Sequence, residues 1–209
     1  MFFDFHHHFR GRECGIYNLD FTEEIPENYF SVGLHPNEID ENYRQSLDKI
    51  KEISQRPNCL AIGECGLDGL VSVDESLQKQ IFEQQIFWAN EIQKPVIVHC
   101  VRRFSQLLRF QKIAKVPLIV HGFNKKKETA EELLSKGFYL SFGKALLYNL
   151  SLQETARDTP LDRIFLEMDT AEEPIDEVYL KLAEIKEMPI EALKTEIYKN
   201  VQQVLKCKI

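Results

Sequence analysis

The chain has 209 residues, of which 44% are hydrophobic and 28% are charged, a composition typical of a soluble globular protein. Its net charge of −7 excludes the strongly basic surface of many nucleic-acid-binding domains, although a bound cation can supply positive charge where a phosphate sits. No apolar run is long enough to cross a bilayer, so we expect no membrane contact.

Short apolar runs alternate along the chain with segments of helical period, a pattern typical of βα units. The predicted strands are residues 1–5, 16–21, 29–34, 60–63, 95–98, 118–120, 138–141 and 164–166. The predicted helices are residues 43–54, 75–92, 103–113, 127–135, 151–156, 176–186 and 190–205. This order predicts an α/β fold, a (β/α)8 TIM barrel of the metal-dependent hydrolase type that can be distorted, and the polar second strand is the weakest of the eight. An open doubly wound sheet is the alternative, but GxGxxG and GxxxxGK[ST] motifs are absent.

The sequence has no linker, low-complexity tract or repeat, and we therefore expect residues 1–209 to form a single domain. Its N-terminal segment lacks the basic and apolar regions of a secretory signal. The cysteines are Cys14, Cys59, Cys65, Cys100 and Cys207, with no CxxC pair. These features predict a cytoplasmic protein with reduced thiols, and no obligate protein partner is evident.

Side chains that can bind metal follow six of the predicted strands, at the point where each strand ends. The segments are Asp4-Phe5-His6-His7-His8, Gly33-Leu34-His35-Pro36, Gly63-Glu64-Cys65-Gly66-Leu67-Asp68, Val98-His99, Val120-His121 and Glu167-Met168-Asp169. The carboxyl ends of barrel strands meet at one face, which carries the active site in barrel enzymes. We therefore expect these side chains to converge.

His6 and His8 form an H-x-H pair. Residues two apart on a strand point to the same side, so both imidazoles can bind one ion, whereas His7 points away and is not counted as a ligand. A lone histidine or carboxylate is more often structural. Burying many of them at one end of a barrel is costly, however, unless a cation compensates their charge and hydrogen bonding.

These segments, with Gly137-Phe138-Tyr139-Leu140-Ser141-Phe142-Gly143 and Asn200, resemble the TatD-type metal-dependent deoxyribonucleases in order and along essentially the whole chain. The GExGLD run that contains Glu64 and Asp68 is the most specific part. The resemblance implies metal ligands at His6, His8, Glu64, His99, His121 and Asp169. It also implies that Glu64 bridges two ions, that Asp169 holds the attacking water, and that both are catalytic.

On the substrate side, the resemblance implies contacts from His35, Asp68 and a basic residue after the fifth strand, for which Arg102 and Arg103 are the candidates. The chain departs from the family here: Val101 stands where the family usually carries Arg. The region between His8 and Gly33 is also compressed. Substrate specificity can therefore differ from that of the family.

The sequence thus predicts a hydrolase in which one or two divalent ions activate a water for attack on a phosphodiester. The expected partner is nucleic acid or a small phosphoester. Imidazole and carboxylate ligands suit Zn or Mn, and Mg binding is also compatible. The Lys125-Lys126-Lys127 run is a candidate for steering a polyanion, or a solvated turn.

Two other functions stay open. The first is an amidohydrolase-like barrel that acts on a small amide, lactone or phosphoester. Such barrels commonly bridge their metals with a carboxylated lysine at the end of the fourth strand, where this chain has Glu64. The second is a non-catalytic metal-binding scaffold, against which the complete ligand set argues.

Overall fold

The structure is a computed structural model that describes residues 1–12 and 14–206. Within them, eight parallel strands form one sheet in chain order. The strands are β1 (Asp4–His7), β2 (Gly15–Leu19), β3 (Phe30–Val32), β4 (Cys59–Asp68), β5 (Val96–Val101), β6 (Leu118–Val120), β7 (Tyr139–Phe142) and β8 (Ile164–Leu166). The polar second strand is a full member of the sheet, because it pairs with both β1 and β3.

The first and last strands meet and close the sheet. The Asp169 N–H donates to the His6 carbonyl at 3.0 Å, and the His8 N–H donates to the Asp169 carbonyl at 3.0 Å. Asp169 and His7 form a parallel bridge. The predicted barrel is therefore confirmed, and the open doubly wound alternative is wrong, because an open sheet would leave these two edges unpaired.

The helices lie between the strands and cover the outside of the barrel. They are α1 (Tyr43–Ile53), α2 (Glu75–Ile92), α3 (Phe104–Leu107), α4 (Lys127–Ser135), α5 (Leu150–Asp158), α6 (Asp176–Ile185) and α7 (Ile190–Leu205). The predicted helix 103–113 is instead the short α3 followed by a 3-10 helix at Leu108–Lys112. The three-residue spacing of the buried Leu107 and Phe110 matches the period of a 3-10 turn.

Strand β4 is longer than predicted and continues through the GExGLD run. Its second half pairs with β5, with Cys65 opposite Val98 and Asp68 opposite Val101. The polar residues and glycines in this run hid the strand from an apolar pattern. All ten residues of β4 are nevertheless buried, and the strand therefore carries Glu64 and Asp68 on a rigid element rather than a loop.

Apolar side chains pack the strands of the barrel against one another. Phe5 of β1 and Phe165 of β8 stack with ring centroids 4.0 Å apart, and both are 0% exposed. This contact packs the two strands that close the barrel against one another. The histidines and carboxylates lie toward the carboxyl ends of the strands, at one face of the barrel.

Two buried glutamines on α2 hold the ends of two strands. Gln85 accepts the Leu34 N–H at 2.8 Å and donates to the Leu34 carbonyl at 3.2 Å. Gln78 does the same at Asp68, with distances of 2.8 Å and 3.0 Å. Each amide satisfies a backbone donor and acceptor, and α2 thereby fixes the positions of β4 and of the segment after β3.

No helix among the described residues is long and apolar enough to cross a bilayer. Cys14, Cys59, Cys65 and Cys100 are free thiols, and the predicted thiol of Cys207 lies outside the described residues. Every described strand belongs to the one barrel.

Tyr179 of α6 anchors the segment before β1. Its hydroxyl accepts the Phe3 N–H at 3.2 Å and donates to the Phe3 carbonyl at 2.9 Å. Tyr179→Phe removes both partners from a buried peptide, and we expect it to lower the free energy of unfolding by about 1–3 kcal/mol. Chemical denaturation measures the change. Tyr148→Phe is the control, because Tyr148 is 72% exposed and should change stability by less than about 0.5 kcal/mol. Equal stabilities for the two variants would contradict the anchoring role.

Candidate metal centre

Glu64 lies at the centre of a ring of imidazole groups at the carboxyl ends of the strands. Its Oε1 is 2.6 Å from His99 Nδ1 and 2.7 Å from His121 Nε2. Its Oε2 is 3.5 Å from His6 Nε2 and 3.7 Å from His8 Nε2. Each carboxylate oxygen therefore faces a different pair of histidines, one from β5 and β6 and the other from β1.

Asp169 joins the pair from β1. Its Oδ1 is 3.3 Å from His8 Nε2 and 3.7 Å from His6 Nε2. Asp169 has a φ of 52°, in the left-handed region that aspartate tolerates better than most residues. The two backbone hydrogen bonds that close the barrel flank it, and they hold its side chain toward the imidazoles of His6 and His8.

The donor atoms fit a divalent cation. His6 is 0% exposed, and neither of its ring nitrogens makes a hydrogen bond to any residue within 1–12 and 14–206. An unsatisfied buried polar atom costs about 1–3 kcal/mol, which a bound cation would offset. The groups whose ligand atoms lie within 4.8 Å of one another are His6–Glu64–His121, His6–His8–Asp169 and His35–Glu64–His99. Nitrogen and oxygen donors without thiolate suit zinc, manganese or iron.

The carboxylates and imidazoles of this cluster shift one another's pKa values. Burial opposes a charge on His8, but hydrogen bonds to Asp169 and Glu64 outweigh it and raise its pKa to about 9. Burial likewise disfavours charge on Glu64, yet the neighbouring His121 holds its pKa well below the usual range. Glu64 is therefore ionised at neutral pH. Because a ligand nitrogen must be unprotonated, cation binding here is coupled to proton release.

His35 belongs to the third group by distance, but its hydrogen bonding makes it a donor. The backbone N–H of Asn37 donates to His35 Nδ1 at 3.1 Å. Burial lowers the pKa of His35 to about 4, so the imidazole is neutral at pH 7. The proton then resides on Nε2, which lies 3.6 Å from Glu64 Oε1. His35 can therefore donate a hydrogen bond to an oxygen in the site.

A comparison with protein families matches residues 16–206 to the model of the TatD related DNase family. The chain belongs to this family. The identification agrees with the resemblance seen in the sequence, and the matched TatD-family region includes seven of the eight strands of the barrel.

Similar proteins extend this result. The uncharacterized metal-dependent hydrolase YabD of Bacillus subtilis (strain 168) is 29% identical over 90% of this TatD-family chain and 81% of its own. The uncharacterized metal-dependent hydrolase YcfH of Escherichia coli (strain K12) is 31% identical over 74% of this chain and 60% of its own length. The matched region therefore spans less than two thirds of YcfH.

Solved structures show the same fold. The structure of YjjV, a TatD homolog from Escherichia coli K12, superposes with a TM-score of 0.85 at 21% identity and covers 99% of this chain and 98% of YjjV. A hydrolase of the TatD family from Entamoeba histolytica superposes with a TM-score of 0.76 at 16% identity, over 93% of this chain and 85% of its own.

The substrate-side residues that the TatD resemblance implied occupy different surroundings. Asp68 Oδ2 lies 3.0 Å from His99 Nε2. Arg103 forms an ion pair with Glu75 at 2.9 Å and is therefore partly committed to α2. Arg102 is exposed, and its guanidinium has no ion-pair partner among residues 1–12 and 14–206. Of the two arginines, Arg102 is the more available to an anion.

Several residues with no site role predicted from the sequence support this cluster. Asn18 of β2 accepts the Glu64 N–H at 2.9 Å. Glu167, which is 0% exposed, accepts the Gly122 N–H at 2.5 Å and lies 3.4 Å from His121 Nδ1. Asp4 accepts the Met168 N–H at 3.0 Å. Glu167 and Asp4 lie two residues before Asp169 and His6, within the same polar segments that follow the predicted strands, and that position could have revealed them.

His7 lies on the opposite side of β1 from His6 and His8, as the alternation of a strand requires. It is 0% exposed and faces Tyr17, with ring centroids 6.1 Å apart. Gly15 leaves room for it, because a Cβ there would lie 2.8 Å from His7 Cδ2. His7 belongs to none of the three potential metal-binding groups.

His6→Ala and His7→Ala form a matched pair, since both remove a buried imidazole from adjacent positions of β1. We expect His6→Ala to weaken Zn²⁺ or Mn²⁺ binding at least tenfold, because it removes a nitrogen that two carboxylates face. His7→Ala should lower stability but leave the dissociation constant within about twofold. Isothermal titration calorimetry on both variants measures the constants. Equal loss of cation affinity in the two would show that the histidines do not differ as the geometry requires.

Proposed function

We propose that this TatD-family metal-dependent hydrolase cleaves phosphodiester bonds, with nucleic acid or a small phosphoester as substrate. The observation that carries the proposal is the position of Glu64, whose two carboxylate oxygens face separate pairs of histidines. That arrangement suits two neighbouring cations, which are typical of enzymes that transfer or hydrolyse phosphoryl groups. The family's name, TatD related DNase, supports the same class of substrate.

In this proposal, His6, His8, Glu64 and Asp169 would hold one cation, and Glu64, His99 and His121 would hold the other. When bound, the cations lower the pKa of an attacking water and neutralise charge on the phosphate oxygens. All six ligands lie within the strands of the barrel or directly beyond their carboxyl ends, and five of the six are at most partly exposed.

Asp169 and His35 have direct roles in this mechanism. Burial opposes the charge on Asp169, but the hydrogen bond from His8 holds the pKa of its carboxyl below the usual range. The ionised carboxylate can accept the proton that leaves the attacking water. On the opposite side of Glu64, the Nε2–H of His35 donates to a phosphoryl oxygen and orients the ester. Arg102 provides a positive charge at the rim, where it can contact a neighbouring phosphate.

A turnover assay that compares phosphoesters with lactones and amides also tests the two other functions. An amidohydrolase-like barrel would release product from a lactone or amide, and a non-catalytic scaffold would turn over nothing at full metal occupancy. Glu64 favours the phosphodiesterase, because a carboxylate from the chain itself stands in β4 at the position where the amide- and lactone-cleaving barrels commonly carry a carboxylated lysine.

We expect Asp169→Asn to lower kcat on bis(p-nitrophenyl) phosphate and single-stranded DNA by about 10²–10⁴-fold, the usual contribution of a general base. Glu64→Ala should abolish turnover and retain the fold, as circular dichroism can establish. Asp162→Asn is the matched control, since its side chain is 73% exposed beside the amino end of β8 and should leave kcat unchanged. Turnover of lactones or amides in preference to every phosphoester would replace the proposed reaction class.

Val101 lies at the end of β5, opposite Asp68 in the register. If the missing positive charge at this position limits phosphate binding, Val101→Arg should lower KM for DNA several-fold, through a charge-assisted hydrogen bond. Val101→Met controls for side-chain length without charge. Identical kinetics for Val101→Arg and the wild type would mean that Arg102 already supplies the contact, or that phosphate binding does not limit the rate.

A further inference from the structure

We propose that Asp68 is a positioning residue for His99, which fixes the tautomer that presents Nδ1 to the cation pocket, and that it is not a substrate contact. This inference deepens the proposed function and rests on the metal centre assigned there. It changes the role that the family resemblance implied for Asp68, and it is drawn from the hydrogen bonds that surround this one carboxylate.

The two nitrogens of His99 face two different carboxylates. Nε2 lies 3.0 Å from Asp68 Oδ2, and Nδ1 lies 2.6 Å from Glu64 Oε1. Either carboxylate can accept a hydrogen bond from the imidazole, but a cation held by Glu64 would need the lone pair of Nδ1, which leaves the proton on Nε2, facing Asp68. With the proton on Nε2, the lone pair of Nδ1 points toward Glu64, where the cation would lie. Outer carboxylates commonly orient metal-binding histidines in this way.

Both oxygens of the Asp68 carboxylate already have a partner within the protein, and little of the side chain is accessible to a substrate. Its second oxygen, Oδ1, accepts the Leu70 N–H at 2.7 Å, and its side chain is only 11% exposed. Gln78 clamps the Asp68 backbone on both sides, by accepting its N–H and donating to its carbonyl. Both the side chain and the backbone are therefore fixed, as a residue that orients another requires.

The other histidines around Glu64 are oriented by different partners. His121 Nδ1 lies 3.4 Å from Glu167 Oε1, an oxygen that also accepts the Gly122 N–H at 2.5 Å. His35 accepts a backbone N–H instead and becomes a donor. Asp68 uses one oxygen, Oδ2, for His99 and the other, Oδ1, for the Leu70 N–H. A substitution can therefore change the contact with His99 and keep the hydrogen bond from Leu70.

Asp68→Asn should reverse the tautomer of His99. Because the Leu70 N–H requires an acceptor at Oδ1, the amide of asparagine must turn its NH2 group toward His99 Nε2. A donor at that position selects the tautomer with the proton on Nδ1, which then faces Glu64 and cannot bind a cation. We expect Zn²⁺ affinity to fall about 10–100-fold, the usual effect of losing such a partner. Competition with a fluorescent chelator measures the affinity.

Asp74→Ala is the matched control in the same β4–α2 connection. Asp74 caps α2 by accepting the Ser76 and Leu77 N–H groups, and in the part of the chain that the structure describes it makes no hydrogen bond to His99. Its loss should cost about 1 kcal/mol of stability and leave Zn²⁺ affinity unchanged. A merely structural role for Asp68 would make the two variants alike in Zn²⁺ binding once they are matched in thermal stability.

Long-range ¹H–¹⁵N NMR of the Zn²⁺-loaded wild type reads the tautomer without any substitution. A protonated Nε2 on His99 supports the inference, and a protonated Nδ1 overturns it even if Asp68→Asn fails to fold. Unchanged Zn²⁺ affinity in Asp68→Asn together with a raised KM would also overturn it, since that result identifies a substrate contact. The tautomer and the Zn²⁺ affinity are both measured without turnover, and the inference about His99 can therefore be tested even if the substrate is not a phosphodiester.

Discussion

The placement of a single carboxylate, Glu64, among histidines from several strands is the interaction on which the rest of the site depends. A buried carboxylate is stable only when charge or hydrogen bonds compensate it, and the compensating groups must arrive from β1, β5 and β6 at once. The barrel meets this requirement because its closure brings all strand ends to one face. The same geometry therefore specifies both the fold and the chemistry of this face. Displacement of one strand would remove part of the charge that compensates the Glu64 carboxylate.

A layer of polar contacts outside the ligands maintains this placement. Gln78 of α2 binds the backbone of Asp68, and Gln85 binds the backbone of Leu34, which precedes His35. Asn18 binds the backbone of Glu64. Each amide or carboxylate meets backbone groups that would otherwise be buried without partners. The strand ends are thus held by directional bonds rather than by apolar packing alone, which explains why polar residues are buried on helices and strands that otherwise look like core.

Much of this arrangement was predictable from the sequence, because apolar strands and their polar last residues repeat in a fixed order. That order predicted the barrel, the H-x-H pair and the convergence of His6, Glu64, His99, His121 and Asp169 on one face. The length of β4 was not predictable from hydrophobicity, since its second half consists of polar residues and glycines that are buried by pairing with β5. The partners of Asp68 and Arg103 depend on side-chain directions in three dimensions, which residue spacing along the chain does not specify.

The contact between the first and last strands bears on how the chain acquires its structure. Asp4 and Met168 are 164 positions apart, and Phe3 and Tyr179 are 176 apart. Pairings of such high sequence separation form late and slowly, and a nascent polypeptide must therefore carry an unpaired β1 edge through most of its synthesis. Intermediates of this kind are prone to aggregation. Polar and charged side chains on an unpaired strand disfavour edge-to-edge association, and β1 carries Asp4, His6 and His7; its sequence thus suits both the finished barrel and the incomplete one.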